Sequence, residues 1–147
     1  EVPLWQRAAA PVFGRLRPTM FFPSEIEGEG LSRDVEVQRA YSEDPLLVAG
    51  ATAGFGREVF RAMDRVAEKL DRLRVPTYVL HGEADPVVPP AASEPLAGLA
   101  GVTRRLWPGL RHECLNEPEQ DEVMAEIEAW VRSRLDRARG SEPTERG

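Results

Sequence analysis

The centre of the chain carries a short apolar run without helical periodicity. Thr77 to His81, introduced by Val75-Pro76, suits a strand buried on both faces, as in a parallel sheet. Thr103 to Trp107 reads as a second short strand. Between them Pro90 to Ala100 reads as a helix weakened by Pro95 and Gly98. Strand, helix and strand in this order make a βαβ unit, whose crossover is expected to be right-handed.

Helical spacing is clearest on either side of this unit. Val59, Phe60, Met63, Val66, Ala67, Leu70 and Leu73 form a stripe that predicts a helix over Arg57 to Leu73. Its role is to cover a core or a sheet, with the charged face solvated. Val123, Met124, Ile127, Trp130, Val131 and Leu135 predict a last helix over Glu122 to Leu135. Upstream, Leu31 to Tyr41 reads as a short helix with Ser32 as N-cap, broken at Asp44-Pro45-Leu46. Gly50, Gly54 and Gly56 predict a loop; no strand precedes them, so a phosphate cradle is not supported.

The first 24 residues differ from the rest. Pro3, Pro11, Pro18 and Pro23 alternate with apolar residues, which forbids a long helix and predicts several short ones. Such helices either pack on a core or line a pocket. Glu25 to Gly30 reads as a polar loop, and Gly140 to Gly147 as a frayed tail.

Charge and composition narrow the classes. A chain of 147 residues can bury a core of its own. Its net charge of -6 argues against nucleic-acid binding, which needs a basic surface. No apolar run reaches the length of a membrane span, and no signal peptide is visible. The single Cys114 excludes an intrachain disulfide and fits a reducing, cytoplasmic compartment. No Cys/His cluster has zinc-ligand spacing, the two histidines lie far apart in sequence, and no cofactor is called for.

The candidate chemistry sits after the two central strands. In an open parallel sheet, reactive groups lie in loops past the carboxyl ends of strands. Asp85 follows the first strand and His112 the second. Loops after neighbouring parallel strands open at the same edge, so the two side chains can meet. His112 then serves as general base and Asp85 fixes its tautomer. The acid precedes the histidine, the order found when a serine nucleophile lies further upstream. Cys114 reads as a small packed residue, and Glu113 as a solvated carboxylate or a hydrogen-bond partner within the histidine loop.

These residues carry a resemblance. His81-Gly82-Glu83-Ala84-Asp85-Pro86-Val87-Val88-Pro89 resembles the acid loop of α/β-hydrolases, and Pro108-Gly109-Leu110-Arg111-His112-Glu113 their histidine loop. Leu31-Ser32-Arg33-Asp34, Tyr41 with Asp44-Pro45-Leu46, Asn116-Glu117 and Trp130 narrow the match to the monoacylglycerol lipase and lysophospholipase-like branch. The resemblance implies an α/β fold: the C-terminal part of an α/β-hydrolase, with cap helices and the last parallel strands and helices of the sheet. It implies that Asp85 and His112 are the acid and base of a catalytic triad. It implies a cap over residues 1–53, a core segment over 54–136 and a flexible tail over 137–147. Within that cap, Leu4, Trp5, Phe13, Leu16, Met20, Phe21 and Phe22 either meet an acyl chain or lipid surface, or pack against the hydrolase core.

The departure from the family is the missing nucleophile. No serine of the chain stands in a Gly-x-Ser-x-Gly elbow, and the early sheet strands have no counterpart. The expectation is a serine ester hydrolase cleaving single-chain acyl esters, with its serine in an N-terminal half outside this chain. The cap permits peripheral membrane contact. Alternatives are another substrate class (aminopeptidase, haloperoxidase or carbon–carbon hydrolase) and a non-catalytic remnant or interaction piece.

Overall fold

The computed structural model describes residues 11–23, 26–48 and 50–140. Leu4 and Trp5 lie outside them, as does the stretch 141–147 read as a tail.

The N-terminal region is built from short elements. Residues 11–16 are helical (α1). Where only short helices were expected, Phe21–Pro23 is a strand (β1), pairing antiparallel with Gly50–Thr52 (β2). Gly28–Leu31 forms one helical turn (α2) instead of a loop. Val35–Glu43 is the next helix (α3), and its N-cap is Asp34, whose side chain accepts from the Glu36 amide. The expected cap, Ser32, is instead fully buried and bonded to the far end of the chain. Asp44 ends α3 as its C-cap.

Ala53–Ala67 is α4, which starts earlier and ends earlier than its apolar stripe predicts. The Thr52 hydroxyl accepts from the Phe55 amide, so the helix is capped before Gly54 and Gly56. Both glycines are therefore helical, not part of a loop. Gly54 also lets α4 approach the preceding backbone: a Cβ there would lie 3.0 Å from the Pro18 carbonyl oxygen. Leu70–Arg72 is a separate 3-10 turn. Val59, Met63 and Val66 of its stripe are exposed, as is Phe55, while Phe60 and Leu70 are half-buried, so the stripe is only partly covered by the described residues.

Thr77–Gly82 (β3) and Val102–Trp107 (β4) pair in parallel, with Thr77 opposite Val102 and Gly82 opposite Trp107. The connection between them contains a 3-10 helix, Pro90–Leu96, instead of an α-helix. Pro95 inside it accounts for the tighter form. β3 is only half-buried along most of its length, contrary to the expected burial on both faces.

The last helix, Gln120–Gly140 (α5), is longer than its stripe and runs through the first four positions assigned to the tail. Its apolar residues divide between two environments. Val123 and Ile127 join the core of Leu110, Cys114, Leu80 and Trp107, while Met124, Val131 and Leu135 are exposed. Trp130 anchors the helix to the sheet. Its indole N–H donates to the Thr103 hydroxyl at 3.0 Å, and its ring lies 5.5 Å from that of Tyr78. The Tyr78 hydroxyl donates to Glu126, one turn before Trp130. Burial and the neighbouring Glu126 carboxylate push the Tyr78 phenol up to about 12.

Candidate active site

The loops after β3 and β4 meet as parallel neighbours must. Gly82 is the last residue of β3, and a Cβ on it would sit 2.2 Å from the Arg111 carbonyl oxygen and 2.3 Å from that of Leu110. The histidine loop therefore passes directly over the end of the acid strand. The Ala84 amide donates to the Leu110 carbonyl at 2.9 Å, and the Glu83 amide to that of Trp107 at 2.9 Å. Gly109, with a φ of +74°, makes the turn that brings the chain back after β4.

This contact sets Asp85 and His112 together. The Asp85 Oδ2 lies 2.9 Å from His112 Nδ1. Oδ1 accepts from the amides of Val87 and Val88, each at 2.8 Å. With its side chain 2% exposed, the carboxylate depends on these donors. Burial pushes its pKa up, but the Val88 amide, the His112 ring and the Val87 amide together outweigh that and hold it below the usual carboxylate range. The imidazole of His112 remains 37% exposed. Because Asp85 can only accept, Nδ1 of a neutral His112 carries the proton, and Nε2 is left with a free lone pair. That is the electronic arrangement of a general base.

Sequence reasoning missed two supports of this dyad. Glu117, known only as part of the Asn116-Glu117 resemblance, is 1% exposed. Its Oε1 accepts from the Arg111 amide at 2.6 Å, the residue before His112. Its Oε2 accepts from the Arg33 amide at 3.0 Å and from Arg33 Nε at 3.1 Å. One carboxylate thus ties the histidine loop to Ser32-Arg33 at the entry to α3. The Glu113 amide repeats the tie by donating to the Leu31 carbonyl at 2.8 Å. Nothing local could have revealed a partnership across more than eighty residues. The second missed residue is His81. Although far from His112 in sequence, its Nε2 lies 3.3 Å from the same Asp85 Oδ2.

The remaining candidates fall elsewhere. The Glu113 carboxylate accepts from the Asn116 side chain at 2.7 Å, within the histidine loop. Cys114 is buried in the core, and burial pushes its thiol up, away from the reactive thiolate. A cavity of about 760 Å³ opens beside the dyad, lined by Ala84, Pro86 and Val87 of the acid loop, Arg111, and Ile26, Glu27, Glu29 and Gly30. Phe13, Leu16, Met20, Phe21 and Phe22 do not line it; all but the half-buried Met20 are exposed. No group of three His, Cys, Asp or Glu side chains among the described residues could hold a metal ion. No described helix is long and apolar enough to cross a membrane.

This geometry agrees with the relationships of the chain. The family model described as serine aminopeptidase, S33, matches residues 1–119. The chain belongs to this family of α/β-hydrolases. Within the superfamily it falls in the monoacylglycerol-lipase-like branch. It is 35% identical to a monoacylglycerol lipase of Mycolicibacterium smegmatis over 133 residues, covering 87% of this chain and 47% of that protein. It is 31% identical to human monoglyceride lipase over 141 residues, covering 92% of this chain and 46% of that protein. The crystal structure of Paleococcus ferrophilus monoacylglycerol lipase superposes with a TM-score of 0.81 at 29% identity, over 90% of this chain and 53% of that one. The chain spans about half the length of these relatives, and its fold is accordingly part of an α/β-hydrolase fold.

Proposed function

We propose that this chain supplies the acid and base of a serine ester hydrolase that cleaves single-chain acyl esters. The observation that carries the proposal is the 2.9 Å contact between Asp85 and His112 at the ends of adjacent parallel strands. Relatives named as monoacylglycerol lipases support the substrate class. The nucleophile is a serine from a Gly-x-Ser-x-Gly elbow in the half of the hydrolase that these residues do not include. That half packs on the exposed apolar residues of α4 and α5. Residues 1–53 act as cap, and their exposed Phe13, Leu16, Phe21 and Phe22 meet an acyl chain, a lipid surface or the rest of the hydrolase.

The steps follow from the dyad. His112 Nε2 takes the serine proton as the serine oxygen bonds to the ester carbonyl carbon. The imidazolium is stabilised by the ionised Asp85. The tetrahedral intermediate collapses, the alcohol leaves with the proton from Nε2, and an acyl-enzyme remains. Water repeats the sequence: His112 removes its proton, hydroxide adds to the acyl carbon, and the serine leaves reprotonated. No cofactor enters these steps.

The test is hydrolysis of a short-chain monoacylglycerol by the full-length gene product and its His112→Ala variant. Loss of several orders of magnitude in kcat supports the proposal. Unchanged activity in the variant refutes it. Because the family model bears an aminopeptidase description, the same panel includes an aminoacyl amide. Preference for the amide would keep the dyad and replace the substrate.

A further inference from the structure

Behind the dyad lies a second set of polar groups that the reaction scheme leaves unused. His81 Nε2 lies 2.9 Å from the Val88 carbonyl oxygen and 3.3 Å from Asp85 Oδ2. His81 Nδ1 lies 3.0 Å from the Ser93 hydroxyl. Arg104 Nε donates to that hydroxyl at 2.8 Å, and its Nη2 donates to the Pro90 carbonyl at 2.6 Å. The set joins β3, the 3-10 helix and β4, and the side chains of His81 and Ser93 are nearly enclosed.

The proton positions follow from what each partner can do. Val88 and Asp85 offer only acceptors to Nε2, so Nε2 carries a proton. In the neutral ring Nδ1 is then an acceptor, and its neighbour Ser93 must donate to it. Ser93 is also placed to donate to the Pro90 carbonyl at 3.0 Å, but its single hydrogen serves one acceptor at a time, and giving it to Pro90, which already receives Arg104, would leave the Nδ1 lone pair facing the hydroxyl's own lone pairs. Arg104, which can only donate, fills the Ser93 lone pair. The order Arg104 to Ser93 to His81 to Val88 leaves no donor facing a donor.

We propose that His81 is a positioning residue for the triad acid, locked in its Nε2–H tautomer by Ser93 and Arg104. This rests on the proposed function of the dyad. His81 acts on Asp85 by two routes. Its N–H holds Val88 by the carbonyl, and the Val88 amide feeds Asp85 Oδ1. Its N–H edge also faces Oδ2, the oxygen that His112 uses. In the neutral tautomer it steadies the carboxylate without cancelling its charge, and that charge is what stabilises the His112 imidazolium. Ser93, His81 and Asp85 superficially repeat a nucleophile, base and acid. The Ser93 hydroxyl is buried and occupied on both sides, so it is not the attacking group.

The test uses the full-length protein with a short-chain monoacylglycerol, comparing wild type, His81→Phe, His81→Gln, Ser93→Ala and His112→Ala. A slightly displaced catalytic group costs up to about a hundredfold. His81→Phe is therefore expected to lower kcat at least about tenfold with little change in KM, and His81→Gln, whose amide can still donate to Val88, to recover most of it at the same Tm. Nitrogen-15 NMR of His81 is expected to show the Nε2–H tautomer, and Ser93→Ala to admit the other one. Equal kcat in the Phe and Gln variants, an Nδ1–H tautomer in wild type, or labelling of Ser93 by a fluorophosphonate would each overturn the proposal. His112→Ala separates the two readings. If it stays active, the dyad assignment fails; if it is dead while both His81 variants match wild type, only the positioning role fails.

Discussion

Gly82 and Arg111 are in direct backbone contact: a Cβ added to Gly82 would fall 2.2 Å from the Arg111 carbonyl oxygen. No side chain larger than hydrogen fits between the acid strand and the histidine loop. Since Arg111 precedes His112, the spacing of the Asp85–His112 pair is set partly by the absence of an atom.

The first prediction follows directly. Gly82→Ala must push the Leu110-Arg111 backbone outward, because the clash is with main chain and not with a side chain that can rotate. In the full-length protein, kcat on a monoacyl ester is expected to fall by about a hundredfold, the order of loss that follows a 1 Å misplacement of a catalytic group. Tm should fall as well, since overpacking costs about 1–3 kcal/mol. Wild-type kinetics in Gly82→Ala would show that the two loops are not held together as described.

Glu117 gives the second. Its two oxygens receive the Arg111 amide, the Arg33 amide and Arg33 Nε from opposite ends of the chain. Glu117→Gln keeps the shape but turns one acceptor into a donor, which leaves at least one buried N–H facing another. A loss of about 1–3 kcal/mol is expected, measured by urea unfolding of the full-length protein. Activity should fall too, because the Arg111 tie orders the loop that carries His112. A variant as stable as wild type would mean that Arg33 and Arg111 find other partners.

The third concerns acid. The folded-state pKa of Asp85 lies below its unbonded value of 3.8. Its ionisation therefore adds stability that is present above that value and lost as pH falls through the folded one. Asp85→Asn should lower Tm near neutrality and flatten the acid limb of the Tm–pH curve below about pH 4. Parallel curves for the two proteins would remove Asp85 from the acid response.

How much of this was legible in the sequence depends on the distance over which each group is set. Asp85 and His112 could be paired because two short strands with polar loops already imply one sheet edge. Their supports could not. His81 ends an apolar run and reads as part of the strand, so its convergence on Asp85 appears only once the acid loop folds back over it. Glu117 carries no local periodicity and gains its meaning from Ser32-Arg33. Phe21–Pro23 was hidden because a three-residue strand that itself ends in a proline gives no period-2 signal, and its pairing is with Gly50–Thr52. Gly54 and Gly56 looked like loop residues, yet the Thr52 cap overrides their low helix propensity. The stripe on α5 was read as one face, although Val123 and Ile127 reach the core while Met124, Val131 and Leu135 do not.

Those uncovered residues supply the last prediction. Phe55, Met63 and Val66 on α4, and Met124, Val131 and Leu135 on α5, are apolar and at least half exposed or nearly so. Two paired strands give little sheet for either helix to cover. Soluble proteins seldom leave large apolar patches open unless a partner surface covers them. The 147-residue chain on its own is therefore expected to bind a hydrophobic dye such as ANS, to melt without cooperativity and to show no ester hydrolysis. Joined in cis to the proposed serine-bearing half, it should lose dye binding and gain a single sharp transition. A sharp, dye-free melt of the isolated chain would mean that its own residues suffice to hold the fold, and that the exposed stripes of α4 and α5 serve something other than the rest of the sheet.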